Sequence, residues 1–194
     1  MSPASGRFIG LTGGIGAGKS EALRALAELG AATLSTDELV HELLAGEELR
    51  DLVVERLGPA MLVDGRLDRS RVAARVFADP DARSWLEGEL WPRVGRRVGA
   101  WRAGLPEAQT AVVEVPLLFE SGMENVFDAT IAVVADEHVR EERAAARGHT
   151  AVAERAGRQL TQREKAQRAD FVVRNDGTLD ELRESLSEVL AKLV

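Results

Sequence analysis

The sequence predicts an α/β fold in which a five-stranded parallel sheet is flanked by helices. Segments rich in apolar and β-branched residues alternate with amphipathic segments, which is typical of right-handed crossovers between parallel strands. The apolar residues of the strands run almost without interruption, which favours a sheet that is covered on both faces. The predicted strands are residues 8–11, 32–35, 110–115, 129–135 and 171–174. The helical patterns between and after them are residues 21–29, 137–147 and 179–193.

A glycine-rich loop joins the first predicted strand to the first predicted helix. Residues 13–20 have the sequence GGIGAGKS, which matches the pattern GxxxxGK[ST]. Glycines allow the tight turn in which successive N–H groups converge on phosphate oxygens, and the helix N-terminus adds positive potential. In such a loop Lys19 reaches the β- and γ-phosphates, and the Ser20 hydroxyl is a ligand of Mg²⁺. The loop therefore predicts a nucleoside triphosphate site in a P-loop NTPase or kinase fold.

Two long intervals interrupt the alternation of strands and helices and define the domain organisation. We expect the nucleotide-binding core to comprise residues 1–36, 110–135 and 170–194. Residues 37–109 are far more than one crossover helix needs, and we expect them to form a helical substrate-binding insert. Residues 136–169 are unusually charged, and we expect a helical lid there.

Phosphoryl transfer also requires a group that orients or deprotonates the nucleophile, and positive charge on the transferred phosphoryl group. Asp37 follows the second strand and is a candidate base, although an acid there also fits the start of a helix. Glu114 ends the third strand and is either an acid near the metal or a solvated strand-end carboxylate. Arg140, Arg143 and Arg147 share one face of the predicted lid helix, where they either clamp phosphates as the lid closes or are balanced by neighbouring glutamates.

The composition limits the remaining classes of function. The 194 residues include no cysteine, which excludes disulfides and cysteine-ligated metals. The net charge of −7 disfavours nucleic acid or an anionic membrane as the main partner, and no apolar run is long enough to span a membrane. The N-terminal residues lack the features of a signal peptide, so we expect a cytoplasmic protein that is a monomer or a weak homo-oligomer.

Four segments, in this order along the chain, resemble the dephospho-CoA kinase family. They are GLTGGIGAGKS at 10–20, TDELVHEL at 36–43, EVPLLFESG at 114–122 and RADFVVRNDGTLDEL at 168–182. The resemblance implies a kinase with a core, a CoA-binding domain and a lid. It also implies that the substrate is dephospho-CoA, whose ribose 3′-hydroxyl is phosphorylated with ATP and Mg²⁺ in the last step of coenzyme A synthesis.

The same resemblance implies roles for individual residues. Asp37 matches the catalytic aspartate, Arg143 and Arg147 match the part of the lid that meets phosphates, and Asn175 matches the neighbourhood of the bound adenine. The ATP-binding stretch corresponds to Gly14, Ile15, Gly16, Ala17, Gly18, Lys19 and Ser20, and Glu21 adds its backbone N–H. Lys19 is also counted among the catalytic residues.

The chain departs from the family pattern at four positions, and other activities remain open. Ser35 replaces the first acid of DAD, Glu114 replaces an aspartate, Trp91 replaces a histidine, and Glu21 replaces a threonine. A phosphate-binding loop does not choose the acceptor, so a kinase for another small alcohol or nucleoside is one alternative. A non-catalytic nucleotide sensor is another. A GTP-dependent switch is disfavoured, because residues 174–177 contain no lysine that could belong to a guanine-reading motif.

Overall fold

The structure, a computed structural model, describes residues 6–146 and 159–193. The chain divides into two compact units. One contains the residues up to Ser35 together with those from Leu105 onward, and the other is Thr36–Gly104. Among the described helices, none combines the length and apolar character needed to cross a bilayer.

The first unit is built on the predicted parallel sheet. In chain order, the strands and α-helices among its described residues are β1 (Phe8–Gly13), α1 (Lys19–Glu28), β2 (Ala32–Ser35), β5 (Ala111–Glu114), β6 (Ala129–Val134), α6 (Glu137–Ala146), α7 (Gln162–Arg168), β7 (Phe171–Arg174) and α8 (Leu179–Lys192). The strand order is β2-β5-β1-β6-β7, and all four pairings are parallel. The predicted α/β fold with a five-stranded parallel sheet is therefore confirmed.

The core of this unit explains the uninterrupted apolar runs in its strands. Every residue of β5 and β6 is buried. Helices α1 and α8 pack against each other and contribute Leu26, Leu182 and Leu186 to the same apolar cluster as Ile131 of β6. Because strands covered on both faces cannot expose alternate residues, a near-continuous apolar pattern results.

The second unit contains four α-helices, a 3₁₀ turn at Pro59–Met61 and a short hairpin. The α-helices and strands are α2 (Thr36–Ala45), α3 (Glu47–Leu57), β3 (Leu62–Val63), β4 (Arg66–Leu67), α4 (Arg69–Ala78) and α5 (Pro80–Ala103). The unit has its own apolar cluster, in which Leu49, Val53 and Val72 are almost completely buried. The hairpin was not predicted. Its signal is the Asp64-Gly65 dipeptide, whose two positive φ angles of 49° and 74° suit a two-residue hairpin turn.

Candidate active site

The glycine loop connects β1 to α1 in a conformation that only glycine adopts easily. Gly16 and Gly18 have φ angles of 77° and 90°. The backbone N–H groups of Ile15, Gly16, Gly18 and Ser20 donate to no acceptor within the described residues. Unsatisfied N–H groups that follow one another in a tight turn at a helix N-terminus form a site for an anion. The loop therefore fits a phosphate chain.

Helix α1 begins with Lys19 and Ser20, whose side chains are suited to binding phosphates and Mg²⁺. The Lys19 Nζ atom donates to the carbonyl oxygens of Gly13 at 3.1 Å and Gly14 at 3.2 Å, so the ammonium lies over the first residues of the loop. Ser20 is exposed, and its hydroxyl makes no hydrogen bond within the described ranges. Mg²⁺ is commonly held by one or two protein oxygens together with substrate phosphates and water. The Ser20 hydroxyl fits this requirement, and the described residues contain no cluster of three or more acids or histidines suited to a metal.

Asn175, at the end of β7, supports the second half of the loop. It is 3% exposed, and its Nδ2 donates to the carbonyl oxygen of Ala17 at 3.0 Å. Its backbone N–H donates to the carbonyl of Val134 at 2.8 Å, which continues the pairing between β6 and β7. A Cβ atom on Gly18 would lie only 1.9 Å from Nδ2. A side chain at position 18 would therefore collide with the Asn175 amide that holds the loop.

Two of the three arginines on the predicted lid helix contact this region, and both belong to α6. Arg140 donates from Nε to the Ile15 carbonyl at 2.9 Å and from Nη1 to Glu137 at 2.6 Å. Arg143 donates from Nη1 to the carbonyl of Asn175 at 2.9 Å. Arg147 lies outside the described residues. The contact between Arg140 and the loop was not predicted, and the only sequence signal for it is the spacing that places Arg140 on the same helix face as Arg143.

The loop after β7 also holds the start of α6. The Asp136 N–H donates to Oδ1 of Asp176, and Nε of Arg174 donates to Oδ2 at 2.8 Å. The hydrogen bond from Asp136, followed by the contact with Arg174, holds the pKa of Asp176 below its usual value. One short segment, 175–176, therefore contacts both the glycine loop and the helix that carries the arginines.

Helix α7 is attached to the sheet by a buried lysine. Lys165 is completely buried, and Nζ contacts Glu120 at 2.9 Å, the Pro116 carbonyl at 2.5 Å and Oγ1 of Thr12 at 3.4 Å. Glu120 also accepts the N–H of Leu160 at 2.8 Å. Burial lowers the pKa of Lys165, and Glu120 opposes that change by favouring the charged form. Nothing around Lys165 in the sequence indicates burial, because residues 161–168 are almost entirely polar.

The two candidate acids lie in different environments. Glu114 is 6% exposed at the end of β5, in register with Leu11 of β1 and Ser35 of β2, so the alternative of a solvated carboxylate is wrong. Asp37 lies in the first turn of α2, two residues after β2 ends. It is exposed, and its carboxylate accepts no hydrogen bond within the described part of the chain.

A cavity of about 420 Å³ opens beside the first half of the glycine loop. Gly14 and Ile15 form one wall, and Glu137 and Arg140 of α6 form another. Residues 159–163, at the start of α7, complete the lining. The cavity therefore begins where Arg140 contacts the loop.

The comparisons with known proteins agree with this geometry. The family model described as CoaE, dephospho-CoA kinase, matches residues 7–181. The chain belongs to the dephospho-CoA kinase family. A dephospho-CoA kinase from Protochlamydia amoebophila is 38% identical over 195 residues, and the alignment covers 96% of each chain.

Solved structures of similar proteins have the same architecture. The protein TT1252 from Thermus thermophilus is 36% identical with a TM-score of 0.83, over 98% of this chain and 99% of that one. A dephospho-CoA kinase from Campylobacter jejuni is 25% identical with a TM-score of 0.70, over 96% of each chain. The predicted family, the P-loop kinase fold and the ATP-dependent phosphorylation of dephospho-CoA are thereby confirmed.

Proposed function

We propose that this protein transfers the γ-phosphoryl group of Mg²⁺-bound ATP to the ribose 3′-hydroxyl of dephospho-CoA, and that the residues described above perform the transfer. The observation that carries the proposal is the glycine loop. Its N–H groups at four positions have no acceptor among the described residues, and Lys19 lies over its first residues. We further propose that the protein is cytoplasmic and that its oligomeric state is a monomer or a weak homo-oligomer.

On the donor side, residues 14–21 hold the phosphates through backbone N–H groups and the Lys19 ammonium. The amide of Asn175 is occupied by the Ala17 carbonyl, so we assign its role to holding the loop that faces ATP. Ser20 is the residue that would hold Mg²⁺, which when bound neutralises the negative charge of the β- and γ-phosphates.

On the acceptor side, Asp37 is the proposed base. The carboxylate accepts the proton of the ribose 3′-hydroxyl as that oxygen forms its bond to the γ-phosphorus. The bond between the γ-phosphorus and the bridging oxygen breaks, and ADP leaves with that electron pair. Residues 37–109 are the proposed CoA-binding insert.

The proposed lid, residues 136–169, supplies positive charge. Arg143 and Arg147 are proposed to contact phosphate oxygens, where a planar guanidinium can donate two hydrogen bonds. The contact from Arg143 to the Asn175 carbonyl supports this assignment, because it ties α6 to the loop that holds the nucleotide.

The test of the activity is ADP release with ATP and Mg²⁺, with dephospho-CoA, adenosine, pantothenate or no acceptor. We expect release only with dephospho-CoA. Release that requires a different acceptor would favour a kinase for another alcohol, and ATP binding without release would favour a nucleotide sensor.

The test of the base is the Asp37→Asn variant. It should lower kcat by about 10²–10⁴-fold and leave ATP affinity unchanged, because only proton transfer is lost. Glu38→Gln is the matched control, since Glu38 is an exposed acid in the same helical turn. Asp37 is not the base if the two variants have equal kcat values.

A further inference from the structure

We propose that Arg140 is a further catalytic residue, which binds the γ-phosphate of ATP from a position already fixed against the glycine loop. The inference rests on the proposed function and adds a residue to it. The family resemblance pointed to Arg143 and Arg147, whereas the contacts in the structure point to Arg140.

The position of the Arg140 guanidinium relative to Lys19 indicates which phosphate it meets. The Nζ atom of Lys19 lies 3.2 Å from the Gly14 carbonyl oxygen, and Nη2 of Arg140 lies 3.1 Å from the place where a Cβ atom on Gly14 would be. Both cations therefore approach the same glycine. Since the lysine of such a loop reaches the β- and γ-phosphates, Arg140 stands at the γ-phosphate end of the loop.

Hydrogen bonds within the protein hold the Arg140 guanidinium in place. Nε is committed to the Ile15 carbonyl, and Nη1 is committed to Glu137. Nη2 has no acceptor among residues 6–146 and 159–193, and the side chain lines the cavity that begins at Gly14. With only 17% of its side chain exposed, Arg140 is oriented before any ligand binds. A donor fixed in this way needs no reorganisation when charge develops.

Phosphoryl transfer creates negative charge that a fixed guanidinium can stabilise. As the bond to ADP breaks and the bond to the ribose oxygen forms, negative charge spreads over the three equatorial oxygens of the phosphoryl group. Nη2–H of Arg140 donates to one of these oxygens. The guanidinium acts only as a charged donor, because arginine is not deprotonated in proteins.

The variant Arg140→Gln tests whether Arg140 binds the γ-phosphate. The variant Arg183→Gln makes the same change in charge and is the control. Arg183 is an exposed residue of α8 that pairs with Glu28 and Asp180. Calorimetry would measure the affinity of each variant for Mg²⁺-ADP and for the Mg²⁺ complex of the β,γ-imido analogue of ATP. Steady-state kinetics would then give kcat with dephospho-CoA.

We expect Arg140→Gln to bind the imido analogue at least tenfold more weakly, to bind ADP within twofold of wild type, and to lose about 10²–10³-fold in kcat. Arg183→Gln should match wild type in all three. Equal weakening of ADP and the imido analogue would overturn the proposal, because Arg140 would then only support the loop through Ile15. Failure of the wild-type protein to release ADP with dephospho-CoA would instead contradict the proposed function, and the two affinities would still decide the role of Arg140.

Discussion

Replacing Lys165 by methionine tests whether the buried ion pair holds helix α7 on the sheet. The change keeps the approximate length of the side chain and removes the ammonium that contacts Glu120, Pro116 and Thr12. Removal of one partner from a buried pair costs about 3–5 kcal/mol, because the remaining charge is left uncompensated. In the variant, Glu120 still accepts the N–H of Leu160, and its side chain is 13% exposed. Because both features stabilise the remaining carboxylate, we expect the free energy of unfolding to fall by the lower figure, about 3 kcal/mol.

The free energy of unfolding would be measured in urea by far-UV circular dichroism. Tryptophan fluorescence follows the Thr36–Gly104 unit separately, because all three tryptophans lie in it. The double variant Lys165→Met with Glu120→Gln should recover at least about 1 kcal/mol, since the glutamine removes the uncompensated charge and still accepts the Leu160 N–H. Lys192→Met, at an exposed position of α8, is the control. If Lys165→Met loses less than about 1 kcal/mol, or if the double variant is less stable than the single one, then the ion pair does not hold α7 on the sheet.

Two further predictions concern the glycine loop and its support. Gly18→Ala should weaken Mg²⁺-ATP binding at least about tenfold in calorimetry, because its Cβ would lie 1.9 Å from Nδ2 of Asn175. The control is Gly30→Ala, since Gly30 has a similar φ of 94° and a Cβ there would have no atom within 4 Å. This control variant should bind Mg²⁺-ATP as the wild type does. Equal weakening in both would mean that backbone strain, and not the contact with Asn175, explains the requirement. Asp176→Asn should destabilise the protein at pH 7, measured by urea unfolding, because the carboxylate has a lowered pKa in the folded state. The stability that the Asp176 carboxylate contributes is present above its unfolded pKa of 3.8 and is lost as the pH falls through its lower folded pKa. The difference in free energy of unfolding between wild type and variant should therefore shrink below pH 3.8, and a constant difference would contradict the prediction.

The strands of the sheet could be predicted because their signal is local. The bounds 32–35 and 171–174 coincide with β2 and β7, since a short apolar run between polar segments defines a buried strand. The β3–β4 hairpin was missed because a pair of two-residue strands has no periodicity, and only its Asp64-Gly65 turn carries a signal.

The candidate site also has features that the sequence predicted and contacts that it did not predict. The roles of Lys19 and Ser20 follow from their place in the GxxxxGK[ST] pattern, which couples the chemistry to consecutive residues. The contact of Arg140 with Ile15 joins residues 125 positions apart, and that of Lys165 with Thr12 joins residues 153 positions apart. Such contacts depend on how helices pack on the sheet, which the spacing of residues within one helix does not specify.

The sequence by itself therefore determined the parallel α/β fold, the phosphate-binding loop and the family, because each depends on patterns of neighbouring residues. Only the tertiary structure decided that Arg140 contacts the loop, that Asn175 occupies the space beside Gly18, and that Lys165 is buried. The physical reason is that a side chain's hydrogen-bond partners and burial are set by the surfaces packed around it, and those surfaces come from distant parts of the chain.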